Sequence, residues 1–222
     1  MQVIKEVSGM KKLFVLICIA AVVIIYVKRD EIPSLQRSTF TQADYTVTGD
    51  LQLINEQHPI QLTPINLVVI PASLSSNVII NEEFYLQEHT IEPLHQMFEA
   101  AAQDGVQHFI INSAYRSSDA QQQLFEKHGA EHALPAGYSE HESGLALDIG
   151  STQGTMDNTT EGEWLARNAH KFGFILRYPD DKVHITGIQY EPWHFRFVGL
   201  PHSELMYNQN LALEEYLQAE NF

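Results

Sequence analysis

Apolar and polar residues alternate most cleanly in two short stretches. In GLALDIG, residues 144–150, Leu145, Leu147 and Ile149 fall on one side of an extended chain, with Gly144, Ala146 and Asp148 on the other. In WHFRFVG, residues 193–199, Trp193, Phe195 and Phe197 oppose His194, Arg196 and Val198. VQHFIINSAY, residues 106–115, reads as a buried strand. Between these stretches the period changes. Residues 90–103 place Pro93 in a first turn and Leu94, Met97, Phe98 and Ala101 on one helical face, ending at Gly105. Ser118 is positioned to cap a second helix that carries Leu124 and Phe125 and closes at Gly129. A third helix is expected over about 161–171, stopping at Gly173 before FILRY, and a last one over roughly 211–219. Helices and short strands without regular βαβ spacing predict an α+β fold: a small central, largely antiparallel sheet flanked by helices.

The N-terminal part follows a different pattern. Residues 13–27, LFVLICIAAVVIIYV, are uncharged and bracketed by Lys11-Lys12 and Lys28-Arg29. Such a run is long enough to span a bilayer when flanking lysines snorkel, and no A-x-A-like cleavage site follows it. An uncleaved signal anchor over residues 1–29 is therefore expected, with a cleaved signal as the rival. Residues 30–50 are polar and weakly patterned, as in a linker, and residues 51–222 form the expected domain. The organisation predicted is a single-pass anchor in the cell membrane with the domain outside.

Charge narrows the partners. The 222-residue chain is 44% hydrophobic, and 13 Lys and Arg stand against 28 Asp and Glu, a net of −15. Beyond residue 29 the balance is 8 basic to 27 acidic residues. That surface would repel phosphate, so no nucleic-acid partner is expected. The only cysteine, Cys18, lies inside the apolar run, so a metal site in the domain must use His, Asp and Glu. Nothing calls for a second subunit, and a monomer is expected.

Two segments carry candidate chemistry. In GYSEHESGLALDIGS, residues 137–151, His141 lies in a loop just before the strand bearing Asp148, and the loop can return the imidazole over the carboxylate. Gly144 and Ala146 would clear the face on which Asp148 stands. By itself this spacing also describes a hydrogen-bonded His–Asp pair. In QYEPWHFRF, residues 189–197, Glu191 precedes His194 by three. A carboxylate beside a ligand histidine is what a metal hydrolase needs: the ion acidifies a water, and the carboxylate takes its proton and passes it to the leaving amine. His141, Asp148 and His194 would supply three ligands and leave one position open. His184 competes for the third place, although Val183 and Ile185 make it a plausible strand residue. His108, His128, His132, His170 and His202 look like surface, helix-end or loop residues. Arg116, in NSAYRSSDAQ, follows a buried strand and precedes a helix, where it could polarise a carbonyl or form a structural ion pair.

In this order the three segments resemble the VanY-type D,D-carboxypeptidases, part of the zinc peptidases that include VanX-like dipeptidases and L,D-carboxypeptidases. Ser139, His141, Gly144 and Asp148 match S-x-H-x-x-G-x-x-x-D; Glu191, Trp193 and His194 match E-x-W-H; Tyr115, Arg116 and Ser117 match Y-R-S. The resemblance implies one zinc ion held by His141, Asp148 and His194 on the sheet face, with Glu191 as general base. It implies Arg116 at the oxyanion, and Ser139 and Gln121 holding the substrate's terminal carboxylate. The implied reaction removes the C-terminal D-alanine from peptidoglycan stem peptides or lipid-linked precursors, in wall maturation or glycopeptide resistance. Two rivals remain: an L,D-carboxypeptidase with the same site, and a non-catalytic module that binds wall peptides.

Overall fold

The structure, a computed structural model, describes residues 49–130 and 133–219. The expected signal anchor, nearly all of the linker, and His132 lie outside the described residues. Among the described residues no helix is long and apolar enough to cross a membrane.

A five-stranded sheet organises the domain. Its strands are β2 (Val78–Ile79), β4 (Phe109–Ser113), β5 (Ala146–Ser151), β6 (Phe174–Leu176) and β7 (His194–Phe197), in the spatial order β2-β4-β5-β7-β6. Only β2 and β4 run parallel; the other three pairings are antiparallel, as the expected fold class requires. A separate two-stranded sheet pairs β1 (Leu67–Val69) with β3 (Tyr85–Gln87).

One face of the main sheet supplies the principal core. Leu145, Leu147 and Ile149 pack with Phe195 and Phe197, as the alternation predicts, beneath α1 (Ile91–Gln103) and α3 (Thr160–Asn168). Leu94, Met97, Phe98 and Ala101 of α1 are all buried there. The opposite face carries Ala146, Asp148, His194 and Arg196, cross-strand partners across β5 and β7. A second apolar cluster, including Ile175, Val198, Met206, Leu213 and Tyr216, is built with α5 (His202–Gln209) and α6 (Leu213–Ala219).

Several expectations shift. The cap of α2 (Ser118–His128) is Ser117, whose extended backbone lets Oγ accept from Ala120 N at 3.3 Å; Ser118 is already helical and donates instead to Glu142. The third helix stops at Asn168, and a 3-10 turn, Ala169–Phe172, completes the run to Gly173. Trp193 precedes β7 rather than joining its apolar face, and stays 41% exposed. The α5 helix was not predicted, because it has no apolar stripe: His202, Ser203 and Met206 are its buried residues, and Ser203 is tied to His170 O through its hydroxyl. Gly144 also has another role than clearing the sheet face. It ends the 3-10 turn Glu140–Ser143 at φ +68°, and a Cβ there would meet Leu67 Cδ2 at 2.6 Å.

Leu147 is completely buried. Leu147→Ala is expected to cost about 2–5 kcal/mol, read as a lower urea midpoint at an unchanged slope. An unchanged midpoint would contradict the assignment of the core face.

Candidate metal centre

His141, Asp148 and His194 converge although they come from separate elements. His141 lies in the 3-10 turn Glu140–Ser143, which Ser143 tightens by donating its hydroxyl to Glu140 O at 2.5 Å. Its Nδ1 faces Ala114 O at 2.7 Å, which leaves Nε2 pointing at Asp148 Oδ1, 3.5 Å away. Asp148 of β5 sits directly opposite His194 of β7 in the antiparallel register. Residues so paired share a face, and His194 Nδ1 accordingly lies 3.2 Å from the same Asp148 Oδ1. The two imidazoles meet edge to face with centroids 5.0 Å apart.

These three residues each offer a ligand atom within 4.8 Å of the others, the only such group among the described residues. Asp148 Oδ1 is buried and hydrogen-bonded to nothing, despite its two imidazole neighbours. An orphaned buried carboxylate oxygen is costly unless something else satisfies it. Donors held about 2.0–2.1 Å from a tetrahedral ion stand roughly 3.3 Å apart, close to the two histidine–aspartate separations of 3.5 and 3.2 Å. Two imidazoles and one carboxylate, with no thiolate, suit a borderline divalent ion that keeps an open position.

Glu191 borders the same space. It occupies the turn entering β7, where its N–H donates to Tyr178 O at 3.0 Å, and its Oε2 is 3.7 Å from His194 Nδ1. Burial raises its pKa; His194 opposes that shift and the Asp148 charge reinforces it. Burial would also raise the Asp148 pKa, but His141 and His194 hold it well below the usual carboxylate range. For His194 burial favours the neutral ring, yet Asp148 and Glu140 prevail and push its pKa up to about 9.

Arg116 joins the centre from the loop after β4. Its N–H donates to His141 O at 3.1 Å, and its guanidinium donates to Gln121 Oε1 at 2.7 Å and Ser113 Oγ at 3.0 Å. Burial lowers its pKa, countered by the nearby Asp148 and Glu142 carboxylates. Gln121 is buried in α2 with both ends of its amide engaged, since Nε2 donates to Leu134 O at 2.5 Å; it holds Arg116. Ser139 immediately precedes the 3-10 turn, and its hydroxyl does not cap that turn. His184 stands on a short helix, α4 (Val183–Thr186), not on a strand; it is exposed and takes no part. His108 and His128 are exposed, but His170 and His202 are buried: His170 stacks on Tyr207, and His202 Nδ1 lies 2.7 Å from Tyr216 Oη.

The residues that sequence reasoning missed lie directly behind His194. Glu140 Oε2 is 3.3 Å from His194 Nε2, while Glu140 Oε1 accepts from Arg177 Nε at 2.7 Å and Arg196 Nη1 at 2.9 Å. Arg177 also makes a two-pronged contact with Glu214 of α6, at 2.9 and 2.7 Å. The side chains of Glu140, Arg177 and Arg196 are wholly buried. One signal was available: Arg196 follows His194 by two, so a charge shares the ligand's face on a strand that is otherwise apolar.

Comparison with known proteins identifies a family for the chain. The family model for VanY, D-alanyl-D-alanine carboxypeptidase, matches residues 83–200. A D-alanyl-D-alanine carboxypeptidase of Enterococcus faecium is 45% identical over 187 residues, covering 82% of this chain and 61% of that protein. This chain thus spans about three fifths of that relative's length. Among solved structures, the LdcB LD-carboxypeptidase superposes with a TM-score of 0.66 at 35% identity, covering 75% of this chain and 84% of LdcB. A mutant of the vancomycin resistance D,D-pentapeptidase VanY in complex with Zn(II) gives a TM-score of 0.65 at 33% identity, covering 76% of this chain and 98% of its own.

Before metal binds, the raised His194 pKa means that below about pH 9 the ring carries a second proton and is an imidazolium with no free lone pair. A metal must displace that proton, so apparent affinity is expected to rise roughly tenfold per pH unit and to level off near that pKa. Competition against a chelator across that window measures the slope, and a flat profile would contradict His194 as a ligand.

Proposed function

Because the chain belongs to the VanY family of D-alanyl-D-alanine carboxypeptidases, we propose that it is a zinc-dependent D,D-carboxypeptidase. On this reading it removes the terminal D-alanine from peptidoglycan stem pentapeptides or their lipid-linked precursors. The observation that carries it is Asp148 Oδ1, buried without a hydrogen bond between the Nε2 of His141 and the Nδ1 of His194. Those three residues would hold the zinc, which when bound would acidify a water and polarise the scissile carbonyl.

The chain's own groups perform the remaining work. Glu191 takes the proton from the attacking water and returns it to the departing amine of D-alanine; its raised pKa suits a group that must accept and release one proton per turnover. Arg116 stabilises the negative charge that develops on the carbonyl oxygen. Gln121 and Ser113 hold its guanidinium, so the charge is in place before the reaction begins. Ser139, at the entrance to the turn that carries His141, binds the terminal carboxylate; Gln121, expected beside it there, has both ends of its amide engaged by Arg116 and Leu134 O and holds Arg116 instead. The substrate lies outside the cytoplasmic membrane, which agrees with an anchor formed by apolar residues 13–27 and a domain facing the wall.

Similarity to the LdcB LD-carboxypeptidase supports a second reading, removal of D-alanine from tetrapeptides by the same machinery. Incubation with pentapeptide and tetrapeptide, with and without a chelator, separates the two. Chelator-sensitive release of D-alanine from pentapeptide alone is expected. Release from tetrapeptide alone would favour the L,D reading, and no release from either would leave a binding module. Glu191→Gln is expected to retain zinc while turnover falls by about 10²–10⁴; wild-type turnover would refute the base.

A further inference from the structure

We propose that Glu140 is a positioning residue for His194, and that it does so as one link in a buried chain of charges, Arg196–Glu140–Arg177–Glu214. The inference rests on the reading of His141, Asp148 and His194 as a zinc site and adds residues to it.

The reasoning begins with the imidazole. His194 presents Nδ1 to Asp148 and the metal space, and Nε2 to Glu140. For Nδ1 to offer a lone pair, the neutral ring must carry its hydrogen on Nε2. A carboxylate only accepts hydrogen bonds, so Glu140 Oε2 at 3.3 Å selects that tautomer and fixes the plane of the ring. His141 is oriented likewise by a backbone acceptor, Ala114 O, on its Nδ1.

Glu140 must itself be prevented from turning. Its second oxygen accepts from both Arg177 and Arg196, and none of these three side chains is exposed to solvent. Two guanidiniums on one carboxylate would leave a net charge in the interior, and Glu214 removes it by taking the other edge of Arg177. Asn55 donates to Glu214 Oε1 at 3.3 Å, and Arg196 Nη2 donates to the carbonyls of Gly49, Asp50 and Gln52. The ligand ring is thereby held from both ends of the described domain.

A purely structural role accounts poorly for this arrangement. Buried ion clusters are often no more stabilising than apolar residues of similar volume, because desolvation offsets the attraction. What apolar residues could not supply is an acceptor of fixed direction behind the metal-binding ring.

Zinc affinity of the full chain, and the visible spectrum after Co2+ substitution, test the assignment. Glu140→Asp preserves the buried charge but shortens the reach; Glu214→Gln breaks the chain two side chains away from the ring. Circular dichroism and thermal melts establish folding. In folded Glu140→Asp the zinc dissociation constant is expected to rise by about 10–100-fold, with displaced Co2+ bands. Glu214→Gln is expected to show a smaller change in the same direction, and carries the test if Glu140→Asp does not fold. Wild-type affinity and unshifted bands in either folded variant overturn the corresponding link. Absence of zinc binding in the unsubstituted protein is a different result, and would overturn the zinc reading itself.

Discussion

A carboxylate with no access to water determines much of this architecture. Glu140 is stable as an anion only because Arg177 and Arg196 reach it, and those arginines are tolerated only because Glu214 and a row of backbone carbonyls complete their bonding. Burial would raise the Glu140 pKa, but the two guanidiniums and His194 hold it well below the usual carboxylate range. The elements brought together are the 3-10 turn before β5, the residue that follows β6, strand β7, helix α6 and the segment around Asp50.

The sheet separates stability from chemistry by face. Leu147, Ile149, Phe195 and Phe197 build the core on one side, and Asp148 and His194 stand on the other. The chain leaving the C-terminal end of β4 delivers Ala114 O to His141 and Arg116 to the same region. The β4–β5 register shifts between Ile111 and Ser113, a local departure from the ladder at the point where the strand leaves its core-facing run for the site.

Much of this was legible in the sequence, for physical reasons that differ by residue. Alternation over 145–149 and 194–197 correctly separated the core face from the ligand face, because in both stretches apolar residues alternate with small, polar or charged ones over enough positions to display a period of two. Trp193 and Val198, at the ends of the second stretch, did not follow it. His141, Asp148, Glu191 and His194 were legible because metal-hydrolase chemistry demands these residue types together. The strands β1, β2 and β3 were not predicted: two or three residues are too few to show a period. Helix α5 was missed because it is held by Met206 and a serine hydroxyl rather than by a stripe. Arg177, Arg196 and Glu214 were missed because distant charges reveal their pairing only in space. Their burial is opposite to what composition alone predicts for such side chains.

The direct pairing of Asp148 with His194 across β5 and β7 has an evolutionary consequence. One residue inserted within either strand would turn a ligand to the core side and abolish the centre. Residues inserted in the turns that flank α3 and α4, between the two strands, would leave that register undisturbed. The connection between the two strands can therefore vary in length by lineage while Asp148 and His194 stay in register, so that tolerated change is confined to turns and the paired strands are closed to it.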